Sequence, residues 1–286
     1  MEVVDFAEFF IEKDGEDEFG FTKIIIRGPN RDLYYAISPD RFDTSSEIDL
    51  DNLNKIPIDT DTVWPRYSDR FLRAPSPVPQ DSYVKETNLC SYEECPEGME
   101  DKPLSDLVLH EIEAYELLRR HPHPNIVEYR GCIVSDGRIT GICLAKYKVT
   151  LDERVQDSTP LNKDLFLEGI GRGIRHLHSL GIVHNDINPD NVMLDELDRP
   201  IIIDFDSWGR EGQKLSPGMK KGTLEWSING SSYDYALFEN DIFGLTRLKE
   251  FIYDSSNGEP VQYADLAAGH SWTKDQGASS SVLARY

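Results

Sequence analysis

Residues 181–208 read GIVHNDINPDNVMLDELDRPIIIDFDSW. Ile182-Val183 forms a short apolar run that leads into the polar His184-Asn185-Asp186. Five residues after Asp186 stands Asn191, followed by the apolar Val192-Met193-Leu194. A turn follows, and Ile201-Ile202-Ile203 then delivers Asp204-Phe205-Asp206. Such short apolar runs bounded by polar residues read as strands joined by loops. Asp186, Asn191 and Asp204 therefore stand where buried strands open into polar loops. A carboxylate can orient an attacking hydroxyl, and an amide oxygen with a second carboxylate can hold Mg²⁺ on a nucleotide's phosphates. Hard oxygen ligands suit that cation better than zinc or copper. The plainer reading is a polar turn between two strands; the ordered set of three groups argues against it.

Upstream, Leu104 to Arg120 has helical periodicity: Val108, Glu111, Ile112, Tyr115 and Leu118 share one face. A glutamate within an apolar stripe needs a partner, and Glu111 is preferred over Glu113 because Tyr115 and Leu118 complete its face. Pro122 and Pro124 stop the helix, and Val127 to Cys132 continues as a strand. His121 and His123 read as turn and packing residues, since no third ligand stands nearby. Asp136-Gly137 predicts a hairpin turn into Arg138–Ala145. Leu161 to Leu180 is a second helix with Phe166, Ile170, Ile174 and Leu177 on one face. Gly169, Gly171 and Gly173 imitate a phosphate loop but lie inside that helix, where small residues allow close packing. Thr150 to Glu153 looks like a capped helix start.

The N-terminal segment is acidic. Phe21 to Ile26 and Leu33 to Ile37 predict two strands around the turn Gly28–Arg31, and Asp43 to Asn54 reads as a loop. The chain of 286 residues can bury a sizeable core. Its net charge of −22 argues against a nucleic-acid partner. No apolar run reaches the ~20 residues of a membrane span, and no basic leader precedes an apolar core, so an intracellular, cytoplasmic or nuclear protein is expected. Cys90 and Cys95 could bridge, but free thiols fit that compartment better.

The stretch 181–208 resembles the catalytic loop and metal-binding loop of eukaryotic protein kinases, H-R-D-x-K-P-x-N followed by D-F-G. The variant H-N-D-x-N-P-x-N with D-F-D resembles a divergent group of fungal kinase-like proteins. His121 to Val127 is similar to the kinase H-P-N-I-V, and Gly222-Thr223-Leu224-Glu225-Trp226 to G-T-P-x-[YW]. The resemblance implies an α+β, bilobal protein-kinase-like fold: an acidic extension over 1–55, a small lobe over 56–145, a C-terminally shortened large lobe over 146–252 and a flexible tail over 253–286. It implies ATP and Mg²⁺ as cofactors and a protein substrate or partner. Asp186 would orient a Ser or Thr hydroxyl, and Asn191 and Asp204 would hold the metal. Lys85, on the strand Asp81–Glu86, would contact the phosphates and pair with Glu111. Leu144 would guard the pocket, with Ala145-Lys146-Tyr147 as the hinge against adenine. Tyr115, Tyr129, His184 and Phe205 should stack in a column resting on Asp241.

Three positions depart from the family's pattern. Asn188 stands where the family has the lysine beside the transferring phosphoryl, Asn185 where it has arginine, and Asp206 where it has glycine. No glycine occurs between Gly28 and Gly98, so a glycine-rich phosphate loop is missing between the strands expected at Val63–Tyr67 and Phe71–Ala74. The turn Tyr67–Arg70 would stand in its place. Three functions fit: a protein kinase, a pseudokinase that binds nucleotide or acts as a scaffold, and a small-molecule phosphotransferase of the aminoglycoside or choline kinase type. The segment Gly209 to Lys221 would be the activation segment. A phosphate on Ser216 or Thr223 would lack its usual arginine partner.

Overall fold

A computed structural model describes residues 1–13, 16–30, 32–92, 103–157, 159–215, 222–228, 234–254 and 282–285. The chain divides into two compact units, within Met1–Arg66, Thr87–Asp106 and Lys274–Tyr286 for the first and Tyr67–Glu86 and Leu107–Thr273 for the second.

The first unit is built on an antiparallel sheet. Its strands are β1 (Glu2–Lys13), β2 (Glu16–Arg27), β3 (Leu33–Ser38) and β4 (Ile56–Pro57), with β13 (Val282–Arg285) beside β1. The β2–β3 pair closes at Arg27 opposite Leu33, around the expected turn. Strand β1 was not expected. Sheet alternation sends Ile25, Phe9 and Tyr35 to one core and Ile24, Ile26 and Ala36 to another, so β2 is apolar on both faces. The acidic loop after β3 folds into two 3₁₀ turns, Ser45–Glu47 and Leu50–Asn52, and buries Ile48 between them. Lys23 is buried too. Its ammonium lies 5.2 Å from the Tyr35 ring centroid and donates to the Tyr92 carbonyl. The short helix α1 (Thr60–Val63) follows β4.

The second unit holds a three-stranded sheet in the order β5 (Ser82–Glu86), β7 (Arg138–Ala145), β6 (Tyr129–Ser135). Asp136 and Gly137 adopt positive φ at the β6–β7 turn, as a two-residue hairpin requires. No hairpin forms over Val63–Tyr67 and Phe71–Ala74. Residues 72–74 instead run parallel to β6: Cys132 N–H donates to Leu72 O at 2.7 Å, and Ala74 N–H to Cys132 O at 2.9 Å. Gly131 makes this possible, since at φ +118° a Cβ there would lie 2.5 Å from Ala74 N. Helix α2 (Leu104–Leu118) buries Ile112, Ala114, Tyr115 and Leu118 in the same core.

The helical part contains α3 (Leu151–Gln156), α4 (Lys163–Ser179) and α5 (Phe238–Asp254). Thr150 and Glu153 close a capping box on α3, and α4 buries Phe166, Ile170, Ile174 and Leu177. The α4 glycines are packing residues: a Cβ on Gly169 would lie 2.6 Å from Pro200 Cγ, and one on Gly173 2.8 Å from Ile202 Cδ1. These contacts seat α4 on the hairpin of β10 (Val192–Leu194) and β11 (Pro200–Ile202), which pairs on its other edge with β8 (Val149–Thr150). Strand β9 (Ile182–Val183) pairs with β12 (Gly209–Arg210). No described helix is long and apolar enough to cross a membrane.

Candidate active site

The loop between β9 and β10 hangs from one buried carboxylate. Asp241, on α5 and fully buried, accepts Asn185 N–H at Oδ1 (2.8 Å). Its Oδ2 takes His184 N–H (3.0 Å) and His178 Nε2 (2.9 Å). Above it the aromatic column is present: His184 against Phe205 (4.8 Å between centroids), Phe205 against Tyr115 (5.6 Å), and Tyr115 on Tyr129 (5.5 Å). His184 Nε2 donates to Ile203 O at 2.8 Å and its Nδ1 accepts Asp186 N–H at 3.3 Å, which sets the tautomer.

Asp186 is buried and held at both oxygens. Oδ1 accepts Thr223 N–H (2.7 Å) and Asn188 Nδ2 (2.8 Å), and Oδ2 accepts Asn191 Nδ2 (3.0 Å). Asn188 also caps the 3₁₀ turn Pro189–Asn191, accepting Asp190 N–H and Asn191 N–H at 3.0 Å each. The Asn191 amide nitrogen is bound to Asp186 O and Oδ2, so its oxygen is the atom that would hold a cation. Ile203 N–H donates to Asn191 O at 3.0 Å, so Asn191 and the residue before Asp204 are cross-strand neighbours. Asp204 itself sits at φ +60°, a conformation aspartate tolerates better than most residues. An amide oxygen beside a carboxylate, both hard donors, fits Mg²⁺.

From the other side comes Lys85. Its ammonium is 2.8 Å from Glu111 Oε1 and 2.7 Å from Asp204 Oδ1, and Tyr115 OH donates to the same Glu111 oxygen at 3.0 Å. Burial opposes the Lys85 charge, but Glu111, then Asp204 and Asp206, outweigh it and hold the ammonium above the ordinary lysine range. Burial pushes Glu111 upward, with Lys85 pulling against it. Glu113, the alternative partner, lies outside, 3.7 Å from Arg70.

In the segment expected to be the hinge, Leu144 is buried opposite Tyr83. Ala145 N–H already donates to Glu128 O and Lys146 N–H to Asp81 O, both at 2.9 Å, so these two amides are spent within the protein. Tyr147 packs half-buried against the core, and Lys146 is exposed. The turn at Tyr67–Arg70 closes through Phe71 N–H on Ser68 O. Ser216, Lys220, Lys221 and Cys95 lie outside the described residues, as do 255–281 and 286 of the tail expected over 253–286; Tyr253 and Asp254 end α5, and Val282–Arg285 forms β13.

Several residues hold this geometry through contacts that had no sequence signal. Asn185, at φ +67°, donates through Nδ2 to Ser207 O (2.8 Å) and accepts Asn240 Nδ2 (2.9 Å). It thereby ties the loop to α5 through neutral amides. Gly222 packs on it so closely that a Cβ would lie 2.3 Å from Asn185 O. Buried Glu116 accepts Leu72 N–H at 2.5 Å and anchors the chain entering the sheet.

Residues 93–232 match the protein kinase domain family. The chain is 28% identical over 134 residues to dual specificity testis-specific protein kinase 1 of Homo sapiens, covering 42% of this chain and 21% of that protein. It is 31% identical over 113 residues to sperm motility kinase Z of Mus musculus (38% and 22%). With serine/threonine-protein kinase TAO3 of Xenopus laevis it shares 27% identity over 171 residues (52% and 19%). The matches span about a fifth of the length of these relatives. The fold is α+β, and residues 93–232 are similar to a protein kinase domain of the eukaryotic protein kinase-like family.

Proposed function

We propose that this domain binds Mg·ATP and transfers the γ-phosphoryl to a Ser or Thr hydroxyl of a protein substrate. The observation that carries this reading is the convergence of Asp186, Asn191 and Asp204 with the Lys85–Glu111 pair in one site. Lys85 neutralises phosphate charge and is held in place by Glu111. Asp186, oriented by three N–H donors, faces the attacking hydroxyl and takes up its hydrogen bond. Bound at Asn191 and Asp204, Mg²⁺ would neutralise charge on the β- and γ-phosphates. Thr223 closes the far side of Asp186 through its backbone N–H.

Asn188 favours a second reading, a nucleotide-binding module with slow or no turnover. It occupies the lysine position but places a neutral amide 2.8 Å from Asp186 Oδ1. Loss of one preorganised charge costs on the order of 10²–10³ in rate. The D-F-D sequence keeps a small-molecule phosphotransferase as a third reading, while the named relatives are protein kinases.

Calorimetric titration with Mg·ATP and an autophosphorylation assay, on the wild type beside Asp204→Ala and Asp186→Ala, separate these readings. Binding lost in Asp204→Ala and phosphorylation lost in Asp186→Ala support the kinase. Binding without phosphorylation in the wild type supports the second reading, and no binding by any form removes both.

A further inference from the structure

Helix α2 and the segment after Asp204 are joined by a reciprocal pair of hydrogen bonds. Trp208 Nε1–H donates to His110 O at 2.8 Å, and His110 Nε2 reaches Trp208 O at 2.8 Å. A carbonyl can only accept, so Nε2 carries a proton. The two rings stack at 5.1 Å with 17° between planes. His110 is the residue before Glu111, and Trp208 stands four residues beyond Asp204. Trp208 is buried, and its successors are anchored: Gly209 pairs with Val183, Arg210 Nη1 donates to Leu180 O at 3.1 Å, and the Arg210 guanidinium lies 5.6 Å from the Trp208 ring.

We propose that this clasp positions Lys85, by holding α2 at the rotation that presents Glu111 to it; the consequence for nucleotide rests on the Mg·ATP reading above. Both partners of Lys85 hang on the clasp. Glu111 adjoins its helix side, and Asp204 lies on the chain leading to its other side. Glu116 ties α2 to Leu72 N–H five residues beyond Glu111. The clasp adds, at the residue beside Glu111, two bonds between side chains and main-chain atoms, made in opposite directions around one stack. Turning α2 would break both bonds and withdraw Glu111 together. His110 and Trp208 are thus positioning residues that tie the start of the activation segment to the phosphate-facing lysine.

The test uses the full chain with Trp208→Phe and His110→Phe, which keep the aromatic stack, and His110→Gln, whose amide can still donate. Arg154→Lys, which alters the distant Arg154–Asp198 pair, is the control for a general loss of stability. Brief acetylation with acetic anhydride, read by mass spectrometry at Lys85, reports the pairing without any nucleotide. Both Phe variants should acetylate Lys85 several-fold faster and weaken Mg·ATP about tenfold, as expected for one lost hydrogen bond. His110→Gln should stay within about twofold of wild type. Lys85 acetylation that is unchanged in both Phe variants, or raised equally in Arg154→Lys, overturns the proposal. Faster acetylation in a protein whose wild type binds no Mg·ATP leaves the clasp standing and removes the nucleotide reading instead.

Discussion

The Lys85 ammonium stands 2.7 Å from Asp204 Oδ1, so the cation proposed for the phosphates and the carboxylate proposed for the metal neutralise one another. Removing the cation alone leaves the Glu111 and Asp204 carboxylates without its charge. Lys85→Met should lower Mg·ATP affinity at least about tenfold and cost about 3 kcal/mol of stability at pH 7. Glu111→Gln in the same chain should restore most of that stability but none of the affinity. Urea unfolding and calorimetric titration check the two halves. The pairing raises the lysine above its ordinary value. Its contribution is therefore complete below about pH 10, the unfolded value, and is lost only as pH rises further. Affinity should not fall between pH 7 and 9 through loss of this charge.

Asn188 serves as a cap while standing where a lysine would assist transfer. In Asn188→Lys the two goals separate. Phosphorylation should speed up by about 10–10². The 3₁₀ turn should lose its cap at about 1 kcal/mol. A single-turnover assay beside a melting curve reads both, and a variant that is slower as well as less stable would contradict the assignment.

The α4 glycines should respond differently to alanine. At Gly169 the new Cβ meets the rigid Pro200 ring at 2.6 Å. Overpacking of about 1–3 kcal/mol should exceed the gain of about 1 kcal/mol in helix propensity. At Gly171 the nearest atom is the mobile Arg175 Nη1 at 3.3 Å, so Gly171→Ala should be neutral or stabilising by up to about 1 kcal/mol. Chemical denaturation of the two variants decides it.

His123 stacks on His176 at 4.8 Å, and Asn125 N–H donates to its Nδ1 at 3.1 Å. Burial first, then His176 and Arg172, hold this imidazole below the ordinary histidine value. The unfolded chain therefore binds the proton first. Stability from this group is complete above about pH 6.5 and is lost as pH falls through the lower folded value. His123→Asn, which can retain a local acceptor, should flatten the decline in melting temperature between pH 7 and 5.

The sequence by itself determined the loop that carries Asp186, Asn191 and Asp204, because short apolar strands and intervening polar residues leave a local pattern. Helical spacing likewise set Glu111 among buried residues and predicted α2 and α4. Tertiary structure decided what local pattern cannot encode. Strand β1 rests on pairing rather than on its own periodicity. The missing small-lobe hairpin became a parallel run along β6, because Gly131 lets the backbone approach there. The amide ladder from Asn185 to Asn240 and the clasp from His110 to Trp208 join residues 55 and 98 positions apart. Hydrogen bonds across such separations depend on where helices and strands come to rest.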